Sequence, residues 1–434
     1  MDKMADVLGR AGAWCGQNKY LSAIKNAFQN FMPLTIAGAI GVLWCNVLVN
    51  DQTGLGLFFK PIMALEFLNP AFQAVNFCTI SCITVGITLG IAQEIGVWNM
   101  GAEKAGYIPG LVGLAAWLSV TNTSHMVEGA KEAFTCIAGN ELGATGLFTG
   151  MIIGVLSVEL FCFFEKQDAL KIKMPEQVPP GVARAFEVLV PATITLIITA
   201  CIGSACYNLT GLYLNDVIKN GIQGPLGAVG ATIPGVMIIY LVIMLFWLVG
   251  IHGNNMLSAV KEALFTPLAL ENVEKFNKGE KPTNIINMYA LQMWGEFGGS
   301  GVTIGLVIAI MIFGKREDNK AIATLSLVPG LFNINETVTF GVPMVLNPIL
   351  GIPFVVAPLI TIIIGYVLTV IGFCPVACLT VPWTTPPIVF GFLACGANVM
   401  GAVTQAILIV VSTVIYVPFL ISYEKYQNKQ AAEA

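Results

Sequence analysis

The amino-acid sequence predicts an all-α polytopic membrane protein with about ten transmembrane helices in two bundles, the second bundle holding two re-entrant hairpins. Three observations carry this. The chain is 56% hydrophobic and only 11% charged, whereas soluble domains carry roughly 25% charged residues. Apolar stretches without Asp, Glu, Lys or Arg recur at about the 20-residue length that crosses a bilayer. A polar, proline-rich stretch, "LKIKMPEQVPPGVARAFEVLVP" (170–191), interrupts them.

In chain order, residues 1–22 carry Lys3, Arg10 and Lys19 on an amphipathic pattern. They lack the short apolar core and small-residue site of a cleavable signal, so they are expected along the cytoplasmic interface. Expected spans follow at 27–49, 71–93, 105–122, 142–164 and 188–213. A second group is expected at 229–251, 297–314, 321–345, 352–374 and 398–422. This gives an N-terminal bundle over 1–165, an amphipathic cytoplasmic linker over 166–187 and a C-terminal bundle over 188–434, with span five assignable to either side. Lys and Arg concentrate at the N-terminus, 165–184, 260–283, 314–320 and the C-terminus. By the positive-inside rule both termini are then expected to be cytoplasmic.

The second half resists a simple zigzag. Segments 260–283 and 314–320 are both basic, yet a single apolar run (297–314) separates them. A half-crossing that returns resolves the conflict, because irregular backbone is tolerated at membrane depth where it lines a cavity. Two stretches suit such hairpins, expected near 246–272 and 325–350. "FWLVGIHGNNMLSAV" (246–260) sets glycines and asparagines around His252, and "LVPGLFNINETVTFGVPMVLNPILGIPF" (327–354) breaks an apolar run with proline and glycine. Broken helices at mid-membrane are where transporters build substrate sites. "WGEFGGSGVTIGL" (294–306) is a third glycine-rich stretch, suited to close helix approach.

Glu336 is the only Asp, Glu, Lys or Arg among the 103 residues between Lys320 and Glu424. A carboxylate at that depth must be paired, hydrogen-bonded or protonated, and a raised affinity for protons suits a general base near neutral pH. The alternative is a protonated carboxyl that simply bonds two hairpin backbones. His252 lies in a 41-residue stretch, 220–260, without other charge. It can orient a sugar hydroxyl or share a proton with Glu336, or be a satisfied buried histidine. His125, in a predicted outer loop, reads as a solvated residue. Trp383 and Trp247 offer ring faces to a sugar, with ordinary packing as the alternative. Asn254, Asn255, Asn333 and Asn335 combine donor and acceptor, as hydroxyl recognition needs, although each could instead cap a broken helix. Arg184 is expected on the cytoplasmic side, as a phosphate or partner contact or as a topology-setting charge.

Other functions lack support. Net charge is −4 without a basic tail, so nucleic acid is not indicated. There is no G-x-x-x-x-G-K-[ST], no H-E-x-x-H and no dense ligand cluster, so neither a metal nor a cofactor is called for. The eleven cysteines, such as Cys78/Cys82 and Cys374/Cys378, read as small buried apolar residues.

"GLFNINETVTFGVPMVLNPILGIPFVVAPLI", "WLVGIHGNNML", "GEFGGSGVTIGL", "VPWTTPPIVFGFL" and "VPPGVARAFEVLVP" together resemble the membrane-embedded IIC component of the bacterial phosphoenolpyruvate-dependent sugar phosphotransferase system. The match is to its lactose/cellobiose/N,N′-diacetylchitobiose branch and covers nearly the whole chain. The resemblance implies a homodimer joined through the N-terminal bundle, with sugar held in the C-terminal bundle. It matches the family's histidine to His252 and its glutamate to Glu336, both near the sugar's 6-hydroxyl. It also implies a β-linked disaccharide substrate, diacetylchitobiose or cellobiose, phosphorylated by a phosphocysteine on a separate IIB protein with IIA upstream. The chain is then inactive alone. A proton-coupled sugar symporter, with Glu336 as proton carrier, would place the same carboxylate beside the same sugar and stays open on sequence physics.

Overall fold

The computed structural model describes Trp14 and residues 17–51, 55–125, 133–175, 177–225, 230–342 and 344–433. They divide into two compact units, Gln17–Gly38 with Ala74–Ala228, and Ala39–Gln73 with Val229–Ala434. Among the described residues, helix dominates, and the one small sheet pairs β1 (Ser124–His125) antiparallel with β2 (Phe134–Thr135).

Helix α1 (Lys19–Leu43) opens the described chain. Its part up to Gly38 belongs to the first unit, which also contains α2 (Ile83–Met100), α3 (Ile108–Val120), α4 (Gly139–Leu142), α5 (Leu147–Glu165), α6 (Pro180–Thr210) and α7 (Leu214–Ile218). Helices α2, α3 and α5 pack mutually, with α6 against α3 and α5. Small residues let them approach. A Cβ on Gly113 would come within 2.3 Å of Ala92 Cβ, and one on Gly150 within 2.2 Å of Thr88 Oγ1. That is how helices associate where lipid offers no hydrophobic drive between them. Trp117, Ala116, Val120 and Ile153 form the buried centre.

The second unit contains α8 (Ile233–Leu248), α9 (Gly253–Met256), α10 (Ser258–Asn277), α11 (Met288–Gly295), α12 (Ile304–Phe313), α13 (Glu317–Leu331), α14 (Glu336–Gly341), α15 (Gly351–Val370), α16 (Val389–Ala394) and α17 (Val399–Glu433). Helix α17 is its spine, packing on α12, α15 and α16. Its buried Glu424 accepts the backbone N–H groups of Lys315 (2.8 Å) and Arg316 (3.3 Å) and the amide of Asn319 (3.2 Å). A carboxylate there satisfies orphan donors and complements the dipole at the start of α13.

Among the described residues, five helices are long and apolar enough to cross a membrane, and two bent pairs raise the number to seven. The expected spans 105–122 and 229–251 form shorter apolar helices, Ile108–Val120 and Ile233–Leu248. The expected span 297–314 is the second half of a pair bent by 59°, Met288–Val302 with Ile304–Phe313. The bend falls where Gly298, Gly299 and Gly301 take positive φ, which only glycine does without strain. The expected span 321–345 is split into α13 and the short α14. Helices α6 and α17 leave Ile197, Ile202, Val410 and Val414 more than half exposed, as lipid-facing surfaces require and a water-facing surface would not tolerate in quantity. The protein is a multi-pass membrane protein.

Candidate functional site

The second unit brings two loop tips together. The first follows α8. Gly250, at φ +81°, turns the chain, and His252 then caps α9. The Asn255 N–H donates to His252 Nδ1 at 3.3 Å. A backbone N–H can only donate, so Nδ1 is the acceptor and the neutral ring carries its proton on Nε2. The Trp247 ring leans on the imidazole, centroids 4.4 Å apart, and on Phe354 at 6.3 Å. Trp247 itself is buried, at 2% exposure, so its faces are occupied by protein.

The second tip lies between α13 and α14. Helix α13 runs through Pro329, whose carbonyl accepts from Phe332 and Ile334, and the chain turns at Asn333, at φ +63°. Glu336 begins α14, and its Oε1 lies 3.8 Å from His252 Nε2. The two side chains are 47% and 37% exposed. Sequence reasoning expects a carboxylate kept from water; the structure leaves it half open beside the imidazole. The gap is longer than a hydrogen bond, and a hydroxyl oxygen set to one side of it, about 2.8 Å from each atom, is within reach of both groups. A backbone bond from Leu346 N–H to Leu248 O (2.8 Å) joins the neighbouring strands of chain.

The asparagines are largely committed within the protein. Asn333 donates to the carbonyls of Trp383 (2.5 Å) and Thr385 (3.1 Å), and its Oδ1 accepts the Gly298 N–H at 2.6 Å. Asn335 is buried and donates to Ser300 O (2.9 Å) and Thr339 Oγ1 (3.1 Å). Asn254 donates to Ser300 Oγ at 2.9 Å. Asn255 is exposed on the first tip. Trp383, held near the second tip through the Asn333 bond to its carbonyl, is 45% exposed and is the aromatic of the pair with an open face. Arg184 lies in the first unit, where its guanidinium pairs with Glu165 (2.9 Å) and Glu187 (2.7 Å).

Behind the tips lies a group of residues that the sequence reading passes over. Lys261 Nζ contacts Glu296 Oε1 in a buried ion pair and donates to Asn254 Oδ1 at 3.1 Å. The Tyr240 hydroxyl donates to the same Glu296 oxygen at 2.6 Å. The signal for Glu296 is the one that marks Glu336: no other Asp, Glu, Lys or Arg lies between Lys281 and Lys315.

The family profile "Phosphotransferase system, EIIC" matches residues 25–358. The oligo-beta-mannoside-specific EIIC component of the phosphotransferase system of Bacillus subtilis is 32% identical, over 98% of this chain and 94% of its own. The cellobiose-specific EIIC component of Lactococcus lactis is 30% identical over 98% of each. A solved structure of the transporter ChbC, the IIC component from the N,N′-diacetylchitobiose-specific phosphotransferase system, superposes with a TM-score of 0.88 at 29% identity and covers 97% of both chains.

Proposed function

Since the chain belongs to the EIIC family of the phosphotransferase system, we propose that it takes up a β-linked disaccharide of the diacetylchitobiose or cellobiose class and presents its 6-hydroxyl for phosphorylation. The observation that carries this is the His252–Glu336 pair, 3.8 Å apart on two loop tips. The names of similar proteins, cellobiose-specific, oligo-beta-mannoside-specific and N,N′-diacetylchitobiose-specific, support the sugar class.

The sugar's 6-oxygen attacks the phosphorus of a phosphocysteine on a separate IIB protein. The new O–P bond forms as the P–S bond breaks, the thiolate stays on IIB, and the hydroxyl proton passes to Glu336. His252, with Nε2–H toward the pair, aims the hydroxyl. Phosphoryl transfer has a loose transition state, so positioning and charge stabilisation carry most of the work. Trp383 stacks on a sugar ring, and Asn255 is placed to meet its hydroxyls. The chain is inactive without IIB and, upstream, IIA. About ten crossings, with hairpins near 246–272 and 325–350, complete the architecture. Both termini are cytoplasmic and the N-terminal bundle joins a homodimer, with α6 on its side of the division.

The test uses vesicles carrying the protein, labelled disaccharide, and phosphorylated IIB. The expected product is sugar phosphate, formed only with the donor. Free labelled sugar, accumulated without donor and abolished by a protonophore, would replace this reading with a proton symporter.

A further inference from the structure

Ser300 is carried by neither tip, yet it touches both. It is 3% exposed, on the glycine turn between α11 and α12. Its Oγ accepts from Asn254 Nδ2 and its main-chain oxygen accepts from Asn335 Nδ2, each at 2.9 Å. Asn254 is two residues from His252, and Asn335 adjoins Glu336. One residue therefore ties the histidine tip to the glutamate tip.

The turn that holds Ser300 is itself fixed. Tyr416 donates to Gly301 O at 2.8 Å, and Thr303 Oγ1 to Gly298 O at 2.6 Å. Gly299, at φ +88°, approaches so closely that a Cβ there would lie 2.7 Å from Asn335 Cβ. Asn254 is fixed from its other side. Its Oδ1 accepts from Lys261, which Glu296 and Tyr240 hold in place. With the oxygen facing an ammonium, the amide must turn its NH2 toward Ser300.

We propose that Ser300 is a positioning residue that sets the separation of His252 from Glu336 without touching the sugar. The proposal rests on the phosphotransferase reading above. Misplacement by about 1 Å in such a constellation costs on the order of 10²-fold in rate, so a hydroxyl that never meets substrate has kinetic weight.

Ser300→Ala removes the Oγ and leaves the carbonyl that Asn335 uses. Asn254→Ala removes the other end of the same bond. Disaccharide binding is measured on the purified variants, and sugar phosphate formation in vesicles with phosphorylated IIB. The expected result is a turnover at saturating sugar lowered roughly 10- to 100-fold, with affinity within about threefold. Asn254→Ala also removes the acceptor of Lys261, so the double variant should be no slower than Asn254→Ala alone, the Ser300 bond being already lost there. Wild-type turnover in Ser300→Ala, or parallel loss of binding and turnover, overturns the proposal. If Ser300→Ala does not fold, Asn254→Ala decides by the same criteria. Absence of sugar phosphate from the wild-type protein instead overturns the underlying reading, so the two failures are distinct.

Discussion

Nε2 of His252 faces Oε1 of Glu336 across 3.8 Å, while Nδ1 of the same ring accepts the N–H of Asn255. The backbone thereby fixes the tautomer, and the ring presents a donor beside an acceptor, close enough for one hydroxyl oxygen at the side of the gap to bond both. This division of labour, one group donating and one accepting, is what orienting and deprotonating a hydroxyl requires.

Glu336→Gln keeps the shape and removes the proton acceptor. Sugar phosphate formation in vesicles with phosphorylated IIB should fall by about 10²- to 10⁴-fold, the range for a general base. Disaccharide affinity should stay within roughly tenfold. Unchanged turnover would remove Glu336 from the mechanism.

Trp383 should act on binding. Trp383→Ala is expected to weaken disaccharide affinity roughly two- to tenfold, the worth of about 0.5–1.5 kcal/mol for an aromatic contact beyond its area. Trp383→Phe should retain most of it. Titration calorimetry reads this directly, and equal affinities across the three proteins would assign the ring to packing.

Lys261 and Glu296 form a buried pair with side chains 7% and 17% exposed. Removing one partner strands a charge, at a cost of about 3–5 kcal/mol. Lys261→Met alone should therefore lower the melting temperature in detergent more than Lys261→Met with Glu296→Gln. Tyr240→Phe, which deletes one bond to the carboxylate, should cost about 1.5–3 kcal/mol.

Glu141 supplies a pH dependence. It lies outside the spanning helices and is 7% exposed, and its Oε2 has no hydrogen-bond partner among the described residues. Burial lifts its carboxyl above the ordinary value of 4.5; His125 opposes the rise and Asp216 adds to it. The folded state thus holds this proton more tightly than the unfolded chain. Its stabilising contribution is full below 4.5 and is lost as pH climbs through the raised folded-state value. Glu141→Gln should flatten that slope and melt higher than wild type at neutral pH, and match it in acid. An unaltered pH profile of melting would show that the carboxylate is solvated.

Much of this was legible in residue order. Isolation in an apolar run marks Glu336 and His252, because a charge or imidazole persists there only for a reason. The same isolation marks Glu296, but the glycines around it draw the eye to helix approach instead. The asparagines are harder. Whether an amide faces ligand or protein depends on partners far along the chain, Ser300 for Asn254 and Asn335, and the carbonyls of Trp383 and Thr385 for Asn333. Arg184 is similar: its carboxylate Glu165 sits on another helix. Span lengths also shift, since proline and glycine shorten apolar helices that hydropathy alone would run to full width.

Glu424 pins the foot of α13 through two backbone N–H groups. That helix has 15 residues, hence a length of about 22 Å, and its far end leads into Glu336. Its far end is tied as well, through Asn333 to the carbonyls of Trp383 and Thr385 and through Asn335 to Ser300. A tilt of about 3° at this pivot carries the distal end by about 1 Å, the scale on which reacting groups fall in or out of alignment. Glu424, far along the chain, is therefore one of the anchors that keep the carboxylate tip in register.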